Sequence, residues 1–158
     1  MCGSYYTSEG QNRLYYPEFD QRISSNARAT HNGVAENADG EDAFNLFTSL
    51  RYRDFTLSGL FSTRNKHIPT ASFESVFNDD REETTDYRSY VDIKYDHAFG
   101  KDLRMIGRVF YDNYTYYGTY PTDYAAPGDP PNIVLSKDGV VGEWVGTEWQ
   151  VTARVLDR

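Results

Sequence analysis

Four aspartates, Asp39, Asp42, Asp79 and Asp80, lie in two short acidic runs whose oxygens could hold a hard divalent cation such as calcium. The first run, Asn37-Ala38-Asp39-Gly40-Glu41-Asp42, has some of the ligands of a calcium loop but not the full spacing of an EF-hand. A solvated acidic turn is the competing reading. The second, Asn78-Asp79-Asp80-Arg81-Glu82-Glu83, could coordinate a cation or attract a basic ligand, yet a charge run in a loop is ordinarily a solvated surface. His31, His67 and His97 are far apart and show no metal-ligand spacing. Cys2 is the only cysteine, which leaves neither a disulfide framework nor a thiolate site. Tyr114, Tyr116, Tyr117, Tyr120 and Tyr124 could stack on a ligand, although a girdle at a lipid interface explains Tyr114 equally well. Asn113-Tyr114-Thr115 matches a glycosylation sequon but falls inside a predicted strand. No nucleophile has a neighbouring base and no glycine loop could cradle phosphate. Carboxylates are abundant, but nothing fixes their separation. We expect no enzyme and no cofactor.

The elements that carry these residues read as strands. From Thr84 to Tyr117 the side chains alternate: Tyr87, Ser89, Val91, Ile93 and Tyr95 on one face, Arg88, Tyr90, Asp92, Lys94 and Asp96 on the other. After Ala98-Phe99-Gly100-Lys101-Asp102 the pattern resumes, with Leu103, Met105, Gly107, Val109 and Tyr111 opposed to Arg104, Ile106, Arg108, Phe110 and Asp112. This predicts a long antiparallel hairpin with an apolar face and a charged face. Ala43 to Asp54 alternates likewise, and a tight turn near Arg53-Asp54-Phe55 leads into a strand through Arg64. A last strand is expected from Val141 to Leu156, and a weaker extended stretch from Ser4 to Phe19, ending at Pro17. Asp20 to Glu41, Asn65 to Glu83 and Gly118 to Gly139 read as long loops; the third, with Pro121, Pro127, Pro130 and Pro131, is not expected to hold a central strand.

Aromatic residues make up 16% of the chain, and with no long apolar run this favours an aromatic-rich β-protein over one with a transmembrane helix. Strands of about 11 to 15 residues exceed the usual length of about 5 to 6 and are long enough to cross a bilayer when tilted. Long and short connections alternate, as in outer-membrane barrels, whereas soluble domains keep most connections short. The turns at Asp54 and Gly100 then lie in the periplasm, and His31, Phe77 and Pro130 outside the cell. Mean hydropathy, -0.72, does not test this reading, because a barrel strand gives only alternate residues to lipid. The net charge of -8, without a basic cluster, argues against nucleic acid as a partner.

Several stretches carry a resemblance. Ile68-Pro69-Thr70-Ala71-Ser72-Phe73, Val76-Phe77-Asn78-Asp79 and Thr84-Thr85-Asp86 resemble the barrel region of TonB-dependent outer-membrane receptors. Leu14-Tyr15-Tyr16-Pro17-Glu18-Phe19, Asn32 to Gly40 and Val91-Asp92-Ile93-Lys94-Tyr95-Asp96-His97 look like the same group, so the likeness runs from about Gly3 to Arg158. It implies a 22-stranded barrel filled by an N-terminal plug, in the outer membrane of a Gram-negative bacterium, taking up scarce ligands such as iron siderophores or cobalamin with energy delivered by TonB. The chain has no plug, no TonB box and no signal peptide: Met1-Cys2-Gly3-Ser4-Tyr5-Tyr6 lacks a basic and an apolar region. We therefore expect residues 1–158 to be a fragment of one such barrel domain, an antiparallel up-and-down meander of about five or six transmembrane strands with long extracellular loops and short periplasmic turns. Its partners would be outer-membrane lipid, the rest of the barrel and plug, TonB through that plug, and a small molecule of unknown identity. The family's ligand-binding positions vary, so none is carried over. Two other readings stay open: a soluble β-sandwich that binds carbohydrate through Tyr and Trp, and a porin-like barrel fragment.

Overall fold

A computed structural model describes residues 1–126 and 128–155. The expected strand end at Leu156, the stop at Asp157 and Arg158, and Pro127 lie outside them. Eight strands form: β1 (Cys2–Ser8), β2 (Arg13–Tyr15), β3 (Val34–Glu36), β4 (Glu41–Tyr52), β5 (Phe55–His67), β6 (Glu83–Phe99), β7 (Leu103–Asp123) and β8 (Ile133–Ala153). Six make one antiparallel sheet in the order β1-β4-β5-β6-β7-β8, and β2 pairs with β3 in a separate ribbon. The fold is all-β, an up-and-down meander that is not closed and is consistent with part of a barrel. β1 and β8 are its two edges.

The alternation seen in the sequence places the strands. β4 and β5 meet at the two-residue turn 53–54, where Arg53 takes a left-handed φ of 52°. β6 and β7 meet at 100–102, where Gly100 has φ 76°. At the other end the connections are long for β1 to β4, 9–40, and for β5 to β6, 68–82, but the one from β7 to β8 shrinks to 124–132.

Three expectations need correction. The stretch Ser4 to Phe19 breaks at 9–12 into β1 and β2, followed by a 3-10 turn at Pro17–Phe19. The stretch Asp20 to Glu41 is not a plain exposed loop: it contains β3, and Asp20, Ala35 and Ala38 are buried. Most plainly, Gly118 to Gly139 is largely strand, since β7 continues to Asp123 and β8 begins at Ile133, with Pro121 opposite Leu135. Pro121 is tolerated because its nitrogen and carbonyl point away from β8. The carbonyl accepts the Val76 amide at 2.7 Å, on the side where β6 has already ended, so no ladder donor is lost.

Facing glycines and aromatic rings knit β7 to β8. Gly107 lies opposite Trp149, Gly146 opposite Phe110 and Gly139 opposite Tyr117. A Cβ on Gly146 would come within 2.3 Å of the Phe110 ring, so the ring occupies the space that a side chain would need.

Candidate functional site

The register assigns every strand residue to one of two faces. Leu50, Leu57, Ile93, Val109 and Thr147 lie in one row, and Tyr52, Phe55, Tyr95, Gly107 and Trp149 in the next. Val91, Ile93, Val109, Val145 and Val151 are all about half exposed or more, on a face that no second sheet covers among the described residues. An uncovered apolar face of this extent is out of place in water.

The band of apolar side chains crosses the sheet obliquely. On β4 it runs from Phe44 to Tyr52, about nine residues, the span of a tilted membrane strand. On β7 and β8 it also covers about nine residues, Leu103 to Tyr111 and Val145 to Ala153. The rows show the offset: Tyr111 stands level with Val91, Gly59 and Thr48, four positions below Phe44. Just above Tyr111 the row is polar, Ser89, Asn113 and Glu143, with the Tyr111 hydroxyl donating to Glu143 at 2.6 Å. Four residues are about 13 Å along a strand and three strand spacings about 14 Å across it, so the slope is about 40 to 45°. Barrel strands tilt by about 35 to 45°.

The opposite face carries the charge. Arg88 donates to Asp112 at 2.8 Å, Arg104 donates to Asp96 at 2.7 Å, and Arg108 is paired with Asp92, of which only 9% is exposed. Each partner sits one diagonal step from the directly opposed residue. Lys94 and Arg108 face each other directly, a like-charge contact offset by Asp96 and Asp92 on either side. Phe47, Ser58, Tyr90 and Phe110 join Arg88, Asp92, Arg108 and Asp112 around an open cleft of about 460 Å³ in this face. One Asp112 carboxylate oxygen in it is buried without a hydrogen-bond partner among the described residues.

Beyond the sheet, at the end with the long connections, the chain builds a compact cap. Phe77, 1% exposed, stacks on Phe19 with ring centroids 4.3 Å apart and meets Tyr16 edge-on. Asp20 is buried beneath them, where it accepts two guanidinium hydrogen bonds from Arg22 and one from the Tyr15 hydroxyl. The Arg22 bonds hold its carboxyl well below the usual carboxylate range. Glu82 is equally buried and accepts from the Ser72 amide at 2.8 Å and the Ser75 hydroxyl at 2.5 Å. It has no cation partner among the described residues, and burial pushes its pKa up. This latch holds the turn Ser72–Glu74, in which Phe73 and Glu74 have left-handed φ values of 54° and 68° and the Phe73 ring is 80% exposed.

The residues singled out by the sequence do not gather into one centre. Asp39 is paired with Lys66 and accepts the Gln11 amide, which lowers its pKa. Arg81 does the same to Asp79. Asp42 lies on β4, and the Asp80 carbonyl bonds the His67 ring at 2.7 Å. His97 bonds Asp54 at 2.9 Å across the two short turns, and His31 lies apart in a 3-10 turn. No three of the acidic, His or Cys side chains among the described residues stand together as a metal set. The girdle reading of Tyr114 fails, because Tyr114 shares the charged face and donates to Asp86; Tyr116 and Tyr120 lie on that face too, while Tyr117 packs against Tyr87 on the apolar one. The burial of Phe77, Asp20 and Glu82 escaped the sequence reading: Phe77 meets Phe19 and Tyr16 from far along the chain, and Asp20 and Glu82 take local donors within aperiodic segments. Set against family models, curated proteins and solved structures, the chain matches none, so its function has to be argued from these two faces and the cap.

Proposed function

We propose that this chain is a segment of the wall of an outer-membrane receptor of the TonB-dependent kind, a transport protein rather than an enzyme, for uptake of a scarce ligand such as an iron siderophore or cobalamin. The observation that carries the membrane reading is the oblique apolar band: its width in residues and its slope are those of tilted strands in a hydrocarbon slab, while Arg88, Asp92, Lys94, Arg108 and Asp112 all point the other way. Lipid would cover the apolar face, and the rest of the barrel and a plug the charged one. The cap would stand outside the cell, where a rigid loop surface serves recognition. The receptor class itself rests on the sequence resemblance. A sandwich reading finds less support, because it needs a second sheet against the apolar face.

The two tryptophans test this, since Trp149 lies on the apolar face and Trp144 on the charged one. In single-tryptophan variants of the full-length protein in bilayers, brominated acyl chains should quench Trp149 strongly and Trp144 weakly. Equal quenching ends the membrane reading. Conductance of the same protein separates a plugged receptor, which stays closed, from a porin-like barrel, which conducts.

A further inference from the structure

The unpaired charges of the sheet divide between its two ends. At the short-turn end every strand from β4 to β8 has a cation within two residues of its last: Arg53 beside Tyr52 and Phe55, Lys101 beside Phe99 and Leu103, and Arg154 after Ala153. Among the described residues the cations without an ion-pair partner are these three, Arg51 on the charged face nearby, and Lys137 at the cap end. Asp54, next to Arg53, is engaged by His97 at 2.9 Å, which leaves Asp102 as the unpaired acid at this end. Where the apolar band ends toward the cap the balance reverses. Asp42, Asp86 and Glu143 have no ion-pair partner among the described residues, while Arg64 and Arg88 are taken by Glu41 and Asp112.

The turns also hold their charge next to the apolar face. The Arg53 guanidinium lies over the Tyr52 ring, 5.2 Å from its centroid, and Tyr52 belongs to that face. Arg53 does so at a left-handed φ of 52°, which glycine would adopt without strain. Beside it begins an apolar groove of about 400 Å³ lined by Phe55, Ile93, Tyr95, Met105, Val109 and Trp149. At the second turn Lys101 and Arg154 border an open cleft of about 360 Å³ together with Gly100, Asp102, Leu103 and Arg104, of which Arg104 is held by Asp96. Each turn thus sets cations immediately beyond apolar side chains, which is the order of headgroup and acyl chain in a lipid.

We propose that the short-turn end of the band binds a leaflet of anionic phospholipid, with Arg53 and Lys101 engaging headgroup phosphates and the adjoining groove taking acyl chains. The proposal rests on the membrane reading and adds to it the charge of the lipid and the end that selects it. A Lys or Arg beside a membrane surface gains about fivefold in affinity from anionic lipid. A zwitterionic headgroup carries a phosphate too, but its own ammonium offsets the attraction. At the cap end of the band Asp42 and Glu143 offer the same lipid no cation.

The test uses a variant of the full-length protein whose single tryptophan is Trp149, which lines the groove, in phosphatidylcholine bilayers. Brominated phosphatidylglycerol should quench it with an apparent affinity about fivefold or more above that of brominated phosphatidylcholine. R53Q and K101Q together should bring that ratio to about one, whereas R53K with K101R, which keeps both charges, should preserve it. K137Q, which removes the unpaired cation at the cap end, should leave it unchanged. A ratio near one before any of these changes, with both lipids quenching, overturns the proposal and leaves the membrane reading standing. A preference that survives R53Q with K101Q, is lost in R53K with K101R, or falls as far in K137Q also overturns it, because the two turn cations would then not be its source. Loss of the preference on adding inorganic phosphate at constant ionic strength gives the cations to a free ion and overturns it as well. If neither lipid quenches Trp149, the membrane reading and the proposal fall together.

Discussion

The cap and the sheet are stabilised in opposite ways. Among the described residues the buried hydrophobic ones, Ala35, Ala38, Phe77 and Tyr120, belong to the cap or to the top of β7 that it covers, and the cap buries its acids Asp20 and Glu82 with local donors. It is built as a small water-soluble core is built. The sheet below has no such core. Its backbone groups are paired strand to strand, its charged side chains pair on one face, and its apolar side chains on the other meet only neighbours on that same face, as Phe55 meets Tyr95, with nothing laid over them among the described residues. One sequence thus holds a region that supplies its own interior and a region whose apolar face finds no cover among the described residues.

The contrast is sharpest for apolar truncation. Phe77→Ala removes the ring on which Phe19 and Tyr16 close, and a buried Phe→Ala change costs about 3 to 5 kcal/mol. Proteolysis should open the connection between β5 and β6 while the amides of β6 and β7 in the band keep their protection. Loss of protection throughout the sheet would mean that the cap and the wall fold as one unit.

Charge insertion should divide the sheet by face. Val109→Arg puts a cation into the apolar band and should cost about 2 to 4 kcal/mol in a bilayer, whereas Gln150→Arg, on the charged face, should cost less than about 1. Reversible unfolding from lipid vesicles measures both. Similar costs would erase the distinction between the faces. Glycine positions probe the same boundary at smaller scale. Gly146→Ala forces a Cβ toward the Phe110 ring, which the Arg108 guanidinium covers at 5.1 Å, so overpacking should cost about 1 to 3 kcal/mol. Gly107→Ala meets the Trp149 ring at 2.7 Å, but that ring is 63% exposed on the apolar face and can swing aside, so its cost should be the lower of the two.

What the sequence disclosed followed the same division. The period of two in Tyr87 to Tyr95 and Leu103 to Tyr111 located the hairpin, its turn and its faces, because a strand with one apolar and one charged face must alternate. Beyond the band that pressure stops. Tyr114-Thr115-Tyr116-Tyr117 is strand without a clean period, and Pro121 disguised the continuation of β7, since only pairing shows which side of a strand a proline faces. The cap was illegible for another reason. Phe77 meets Phe19 and Tyr16 across nearly 60 positions, and Asp79 and Asp39 look like free ligands until Arg81 and Lys66 are seen beside them.

The smallest expected effect lies in the pH dependence of the cap, where two carboxyls pull in opposite directions. Asp20 has a folded pKa below its ordinary value, so the stability it lends is present above the usual carboxylate range and is lost only as pH falls through the lowered value. Glu82 has a folded pKa above its ordinary value, so its contribution is full below that value and is lost as pH rises through the raised one. The cap should therefore loosen at its Glu82 end as pH rises through that raised value. Exchange of the Ser72 amide, corrected for its intrinsic pH dependence, reads this directly, because that amide donates to Glu82. Glu82→Gln keeps an acceptor for it and removes the titration, so the variant should show protection that no longer falls as pH rises through the raised value. Amides of β6 and β7 within the band should not respond in either protein. A Ser72 profile unchanged by Glu82→Gln would place the pH response of the cap in another group and take from Glu82 its role as a titrating latch.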